Sequence, residues 1–270
     1  AAGNVSQITN CTQLFTSAAK QSDTALVIVG HVTKVGSIAG PKILEHTVDV
    51  VLQFEGDRFG GFKLLRSVKN RFGSTNEVAM YEMYQEGLKA LENPSAAMLE
   101  ERQVVDGSIV LATMEGVRPV LVEIQALVNP TVYGNPKRTA SGFDTNRMNL
   151  LIAMLERRTK LTLSDKDVYV NVVGGLKITE PAADLAIAMA IASATKGLKL
   201  KEDVVVFGEL GLSGEVRRVV HADKRLAEAQ KIGFRAGIGP KQPATAKSDN
   251  SSASLYAVTS VKEALNKYLS

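Results

Sequence analysis

Cysteine is nearly absent from the 270 residues: Cys11 stands alone, so no internal disulfide can form, and a reducing, cytoplasmic setting is expected. Histidine occurs three times, at His31, His46 and His221, with no spacing that suits a metal; a zinc site within this chain is not expected. No run of about 18 uncharged apolar residues occurs, which argues against a membrane span, and no signal-peptide pattern opens the chain. The opening AAGNVSQ lacks an initiator Met and reads as part of a longer protein. The phosphate-cradling pattern Gly-x-x-x-x-Gly-Lys-Ser/Thr occurs nowhere, nor does an obvious metal-holding acidic strand before the first helix. Excess charge of either sign is small: the net value of +4 is too mild to argue for nucleic acid by itself.

What is present is a core. Hydrophobic residues make up 45% of the chain, and its length suits one large domain or two small ones at roughly 100–200 residues each. Asn4–Lys20 has apolar residues at helical spacing. The run from Thr24 to Val29 is continuously apolar and predicts a strand buried on both faces. A glycine-rich loop follows, with Gly30, Gly36, Gly40 and Pro41. Asp49–Phe54, Phe62–Val68 and Glu77–Met83 read as successive antiparallel strands. Pro94 and the stretch Leu99–Arg102 mark a boundary, which divides the chain into 1–92 and 93–270.

Beyond it the pattern restarts. Ser108–Met114 and Pro119–Leu127 alternate as a hairpin, and Asp144 is placed to cap a helix bearing Leu150, Leu151, Met154 and Leu155. Asp167–Val173 reads as a strand. Glu180–Thr195 is a helix apolar on most sides, with Pro181 in its first turn. Val204–Val219 reads as two strands, Ala222–Lys231 as a helix, and the chain closes with a strand near Leu255–Val258 and a helix over Val261–Tyr268. Gln242–Ser254 is small and polar, hence a loop. The class is α/β and α+β.

One stretch resists a purely structural reading. In VKNRFGSTNE, Lys69 and Arg71 lie two apart at a strand end, so they share one face while Asn70 points to the other. A solvated strand end accounts for them. So does an anion site, because a guanidinium fork and an ammonium both suit phosphate oxygens. Phe72 is placed to anchor the strand end and Gly73 to permit a sharp departure.

The segments VKNRFGSTNE, GHVTKVGSIAGPKILEHTVD, FEGDR, VLVEIQALV, RTASGFD and NVVGGLKITEPAADLAIAMAIAS resemble the RadA (Sms) family of bacterial DNA-repair proteins, over essentially the whole chain. The resemblance implies the second half of a RecA-like ATPase core followed by a Lon protease-like domain. It also implies a homo-hexameric ring that acts on single-stranded and branched DNA, drives branch migration and works with a RecA-type recombinase. ATP and Mg²⁺ belong to the complete protein, and a four-cysteine zinc motif belongs to a region upstream of this segment. By the same resemblance Lys69 and Arg71 of the KNRFG motif (with Asn70, Phe72 and Gly73) contact the ATP of the neighbouring subunit in trans. His31 is either an ordinary loop histidine or, by the resemblance, a nucleotide sensor. Lys34, Gly36, Gly40 and Lys42 are implied DNA contacts, Lys42 being equally compatible with a solvated helix start.

The second half resembles the Lon proteolytic domain, which uses a Ser nucleophile activated by a Lys and whose helix opens with Pro-Ser-Ala-Gly. Here the matching residues are Pro181-Ala182-Ala183-Asp184, and a methyl group at Ala182 cannot attack a carbonyl. The matching lysine falls on Asp223, with Lys224 one residue off; Ser193 and Ser213 lie away from the motif. An inactive protease shape is expected, its cations Lys196, Lys199, Lys201, Arg217, Arg218, Lys224, Arg225, Lys231 and Arg235 offering a surface to DNA. A non-enzymatic DNA-binding scaffold is the alternative for the chain by itself.

Overall fold

A computed structural model describes residues 5–30, 43–56, 61–132, 134–201, 203–242 and 253–269. Contacts divide the chain into two compact units: Ala1–Glu55 with Leu64–Val78, and Gly56–Lys63 with Ala79–Ser270.

In the first unit, α1 (Val5–Gln21) lies against the short α2 (Ile43–Thr47). β1 (Val50–Glu55) then pairs antiparallel with β2 (Phe62–Asn70), with a register shift between Val51 and Leu52. The strand expected over Leu26–Val29 does not form: Thr24–Gly30 has no regular structure, and Val27 and Val29 are each 86% exposed. Burial on both faces needs hydrogen-bonded neighbours and covering layers, and no described residue pairs with this run.

The second unit continues with β3 (Val78–Tyr84), paired antiparallel with β4 (Gly87–Ala90). Pro94–Leu99, read from sequence as a break, is a helix, α3: Pro starts its first turn, and the Asn93 side chain accepts from Ala96 N at 3.2 Å. Its buried Ser95 hydroxyl accepts from Leu121 N, tying it to the sheet. The hairpin β5 (Ser108–Glu115) and β6 (Arg118–Pro130) closes where Glu115 faces Arg118. After it come β7 (Arg138–Ser141), α4 (Thr145–Thr159) and β8 (Lys166–Val172). A 3-10 turn over Pro181–Ala183 leads into α5 (Asp184–Lys196). Then follow β9 (Val204–Val206), β10 (Glu209–Leu210), β11 (Val216–Arg217), α6 (Ala222–Ile232), β12 (Ala236–Pro240), β13 (Ser254–Val258) and α7 (Val261–Tyr268).

Seven strands form one mixed sheet in the order β13-β12-β9-β5-β6-β8-β7. The run from β13 through β5 is parallel, as is β8–β7, while β6 is antiparallel to both its neighbours. Ile109 to Ala112 are all fully buried, so β5 is covered on both faces. Val110 and Ala112 pack with Ala222, Leu226 and Ala229 of α6, and alternation turns Ile109 and Leu111 to the opposite face. α5 also lies against β5 and β6, and every residue from Asp184 to Ser193 is buried, as its all-round apolar sequence requires. The chain is therefore α/β. Among the described residues no helix is long and apolar enough to cross a membrane.

Candidate functional site

Lys69 lies near the end of β2 and Arg71 one residue past it; Lys69 closes on α2 and the residue after it, and Arg71 on Asp49. The Lys69 ammonium donates to three backbone carbonyls, those of Glu45 at 2.7 Å, His46 at 3.3 Å and Val48 at 2.8 Å. Carbonyls at a helix C-terminus lack intrahelical partners and carry the negative end of the helix dipole, which is where a cation is stabilised. Arg71 donates through Nη1 to Asp49 Oδ1 at 3.0 Å, and its own N–H donates to the Asp49 carbonyl at 3.1 Å. Asp49 is shared with Lys20, whose ammonium lies 3.7 Å away. The Arg71 side chain remains 51% exposed, and among the described residues its fork is engaged through Nη1 alone.

Asn70 plays a different part. Its Oδ1 accepts from Phe72 N at 3.0 Å and its Nδ2 donates to the Ser74 carbonyl at 3.3 Å, so the amide shapes the turn after the strand. Phe72 corrects the sequence reading: it is 82% exposed and anchors nothing among the described residues. The departure does not demand glycine at Gly73 either, since its φ is not positive and a Cβ would meet only Asn70 Nδ2 at 3.4 Å. His31, Lys34, Gly36, Gly40 and Lys42 lie outside the described residues.

In the second unit, Ala182 is buried in the 3-10 turn, and its carbonyl accepts from Gly208 N at 2.7 Å. Ser193 is buried and committed: it accepts from Gly107 N at 2.8 Å and donates to the Leu198 carbonyl. Asp223, Lys224 and Ser213 are exposed. Gly107 itself sits at φ +79°, where a Cβ would come within 2.2 Å of the Ala126 carbonyl oxygen.

Two ion pairs occupy this region. Arg225, one of the cations assigned from sequence to a DNA-facing surface, is fully buried instead. Its fork holds both oxygens of Glu180, Nη1 to Oε1 at 2.8 Å and Nη2 to Oε2 at 2.7 Å, while Nη1 also donates to the Ala112 carbonyl at 2.6 Å. Thr113 Oγ1 and Met114 N donate to Glu180 Oε1 as well. Burial acts to raise the Glu180 carboxyl, but the Arg225 hydrogen bonds and charge, with the Thr113 and Met114 donors, outweigh it and hold the group below its ordinary value. The second pair joins Arg147, through Nε at 3.0 Å and through Nη2, to buried Asp184, which also accepts from Leu210 N at 3.1 Å. Those hydrogen bonds from Arg147 to Asp184 raise the guanidinium above its ordinary value. Neither pair was legible in the sequence, because the partners lie 45 and 37 residues apart.

The other second-half cations expected at a surface, Lys196, Lys199, Lys201, Arg217, Arg218, Lys224, Lys231 and Arg235, are all exposed. Two of them have carboxylate partners: Arg217 with Glu215 at 2.7 Å and Arg235 with Asp203 at 3.7 Å. A cavity of about 480 Å³ lies over β6, β7 and β8, where Gln125, Leu127, Thr139, Tyr169 and Asn171 line it. Asp106 is the one charged residue among its described lining.

Residues 129–243 match the family model described as subunit ChlI of Mg-chelatase. The matched span contains no phosphate-cradling loop, so the match by itself carries no nucleotide site to this chain. Among curated proteins, the DNA repair protein RadA of Halalkalibacterium halodurans is 50% identical over 266 residues, which is 98% of this chain and 58% of that protein. The proteins of the same name from Bacillus subtilis and Aquifex aeolicus are 52% and 49% identical, each over 89% of this chain and 53% and 54% of their own lengths. The chain thus spans between half and two thirds of these relatives. Half-identity sustained over nearly every residue leaves one assignment: the chain belongs to the RadA family of DNA repair proteins.

Proposed function

We propose that this chain is part of a hexameric, DNA-dependent ATPase that acts in recombinational DNA repair by branch migration, and that Lys69 and Arg71 serve the ATP of the neighbouring subunit. The observation that carries the reading is the state of Arg71. A guanidinium just past a strand end, half exposed and, among the described residues, tethered through one nitrogen to Asp49, has donors left for a ligand from outside the chain. Positive charge presented in that way suits the oxygens that gain charge in phosphoryl transfer. The absence of a phosphate-cradling loop is consistent with this division of labour, since the triphosphate is then held by a segment outside this sequence. ATP and Mg²⁺ are cofactors of the complete protein under this reading, zinc belongs to a region outside this chain, and residues 1–92 belong to the ATPase core.

DNA is the proposed partner, single-stranded or branched, with a RecA-type recombinase alongside and the cytoplasm as location. His31 senses nucleotide, and Lys34, Gly36, Gly40 and Lys42 approach the DNA backbone. Such contacts are independent of base sequence and weaken with salt. The domain from 93 to 270 is a Lon-like shape without protease chemistry, and the buried methyl of Ala182 supports that reading.

A second reading, a non-enzymatic DNA-binding and assembly scaffold, draws support from the exposed cations Lys196, Lys199, Lys201, Arg218, Lys224 and Lys231. ATP turnover of the full-length protein, with and without DNA, separates the two. Arg71→Ala is expected to lose turnover or its stimulation by DNA while keeping the fold. Unchanged turnover in both Arg71→Ala and Lys69→Ala overturns the motor reading of this motif.

A further inference from the structure

We infer that Lys69 is a nucleotide-released latch: in the absence of ATP it holds the backbone segment Glu45–Val48, and it must let that segment go in order to reach a phosphate. The inference rests on the reading above, that Lys69 and Arg71 reach a neighbour's triphosphate.

An ammonium has three donors and no acceptor. All three of those on Lys69 are placed against carbonyls of one short stretch, Glu45, His46 and Val48. Two of these acceptors lie in α2 and the third directly follows it. α2 spans only five residues, Ile43–Thr47, too few to be stable by itself in water. A cation that closes its C-terminal carbonyls therefore supplies much of what keeps the turn wound. The tether is specific to this side chain, because Asn70 next to it is engaged with Phe72 and Ser74 instead.

The two cations differ in what a phosphate would cost them. Arg71 spends one nitrogen on Asp49 and stays half exposed, so it can take an anion with its present contact kept. Lys69 has no donor to spare, so carbonyls and phosphate compete for it. By linkage, whatever steadies the Glu45–Val48 turn weakens the grip of Lys69 on nucleotide, and nucleotide loosens the turn by the same factor. The turn stands immediately after residues 31–42 in sequence, the stretch proposed above to face DNA. Release of Lys69 is thus a route by which the occupancy of a neighbour's ATP site reaches the Glu45–Val48 turn.

Hydrogen exchange on the full-length protein tests this, read at the amides of residues 45–49 without DNA, with and without a non-hydrolysable ATP analogue. The Val48 amide, which donates to the Leu44 carbonyl at 3.2 Å, is the most direct reporter. Without nucleotide, Lys69→Ala and Lys69→Met are expected to exchange there at least several-fold faster than the unmodified protein. The Met variant keeps the hydrocarbon stem, so its acceleration assigns the effect to the lost donors. The analogue is expected to accelerate the unmodified protein in the same way and to leave Lys69→Met unchanged. Unchanged exchange in Lys69→Met, or in the unmodified protein with analogue bound, overturns the latch. Turnover reports separately on the contact in trans: turnover that depends on Lys69, with no exchange response to the analogue, leaves that contact standing and removes the latch alone.

Discussion

Arg225→Ala is the substitution whose cost the structure defines best. It removes a wholly buried guanidinium that holds both oxygens of Glu180, donates to the Ala112 carbonyl at 2.6 Å and to the Val220 carbonyl at 3.3 Å, and lies 5.9 Å over the Phe207 ring. Thr113 and Met114 still serve Glu180 in the variant, but its largely covered carboxylate, 22% exposed, is left without its counter-charge. Breaking a buried pair in this way costs about 3–5 kcal/mol, a large share of the ~5–15 kcal/mol that keeps a domain folded. With a urea dependence of about 1–3 kcal/mol per molar, the unfolding midpoint of the chain should fall by at least about 1 M. Arg225→Met with Glu180→Gln should lose much less than Arg225→Ala, because the buried charge is then gone from both sides. Lys224→Ala, one residue away and exposed, should stay within about 0.5 kcal/mol. A midpoint shift below about 0.3 M for Arg225→Ala, within what a surface change produces, would refute the assignment of Arg225 to the interior.

Three further outcomes are expected. The Glu180 carboxyl is held below its ordinary value in the folded state, so its contribution is present above the unfolded carboxyl range, near pH 4.3, and is lost as pH falls through the lower folded value. Urea midpoints measured from pH 7 down to pH 3 should therefore drop on the acid side, and Glu180→Gln should flatten that drop; an equally steep acid limb in the variant contradicts the pairing. Asp144→Ala removes the oxygen that accepts from Arg147 N at 2.7 Å and should cost about 1 kcal/mol by the same urea measurement, with Asp144→Asn costing only a few tenths. Gly107→Ala should destabilise by at least about 1–3 kcal/mol, since an alanine there combines left-handed backbone with a Cβ 2.2 Å from the Ala126 carbonyl oxygen; a thermal midpoint equal to that of the unmodified chain contradicts it.

Local signals carried through from sequence to structure. Asp144 caps α4 as its position before an apolar-periodic run implies, and the two-residue connection Gly116-Val117 joins β5 to β6 where the alternation broke. α5 is buried all round because its sequence leaves no polar face. What stayed hidden depends on distant partners or on unusual composition. Leu26–Val29 is as apolar as an interior strand, yet a strand is made by its neighbours, and no described residue pairs with it. β12, Ala236–Pro240, is written with two glycines and a proline, residues that ordinarily mark turns, yet it sits between β9 and β13 with both glycines against Phe207. Arg225 reads as helix surface until Glu180 is seen opposite it. At the candidate site the two-residue spacing of Lys69 and Arg71 was legible, although Arg71 lies just past β2; their present partners, carbonyls in and just after α2 and the Asp49 carboxylate, were not, because backbone acceptors leave no mark in a sequence.

Complementation between two damaged full-length proteins tests the central claim most directly: Arg71→Ala in one, a disabled phosphate-binding loop in the other, mixed under conditions of subunit exchange. Each alone should be inactive in DNA-stimulated ATP turnover. If Arg71 works on a neighbour's nucleotide, an equimolar random mixture should restore about a quarter of the interfaces, since one ordering of neighbours in four rebuilds a complete site. A mixture no more active than its separate components would contradict the account.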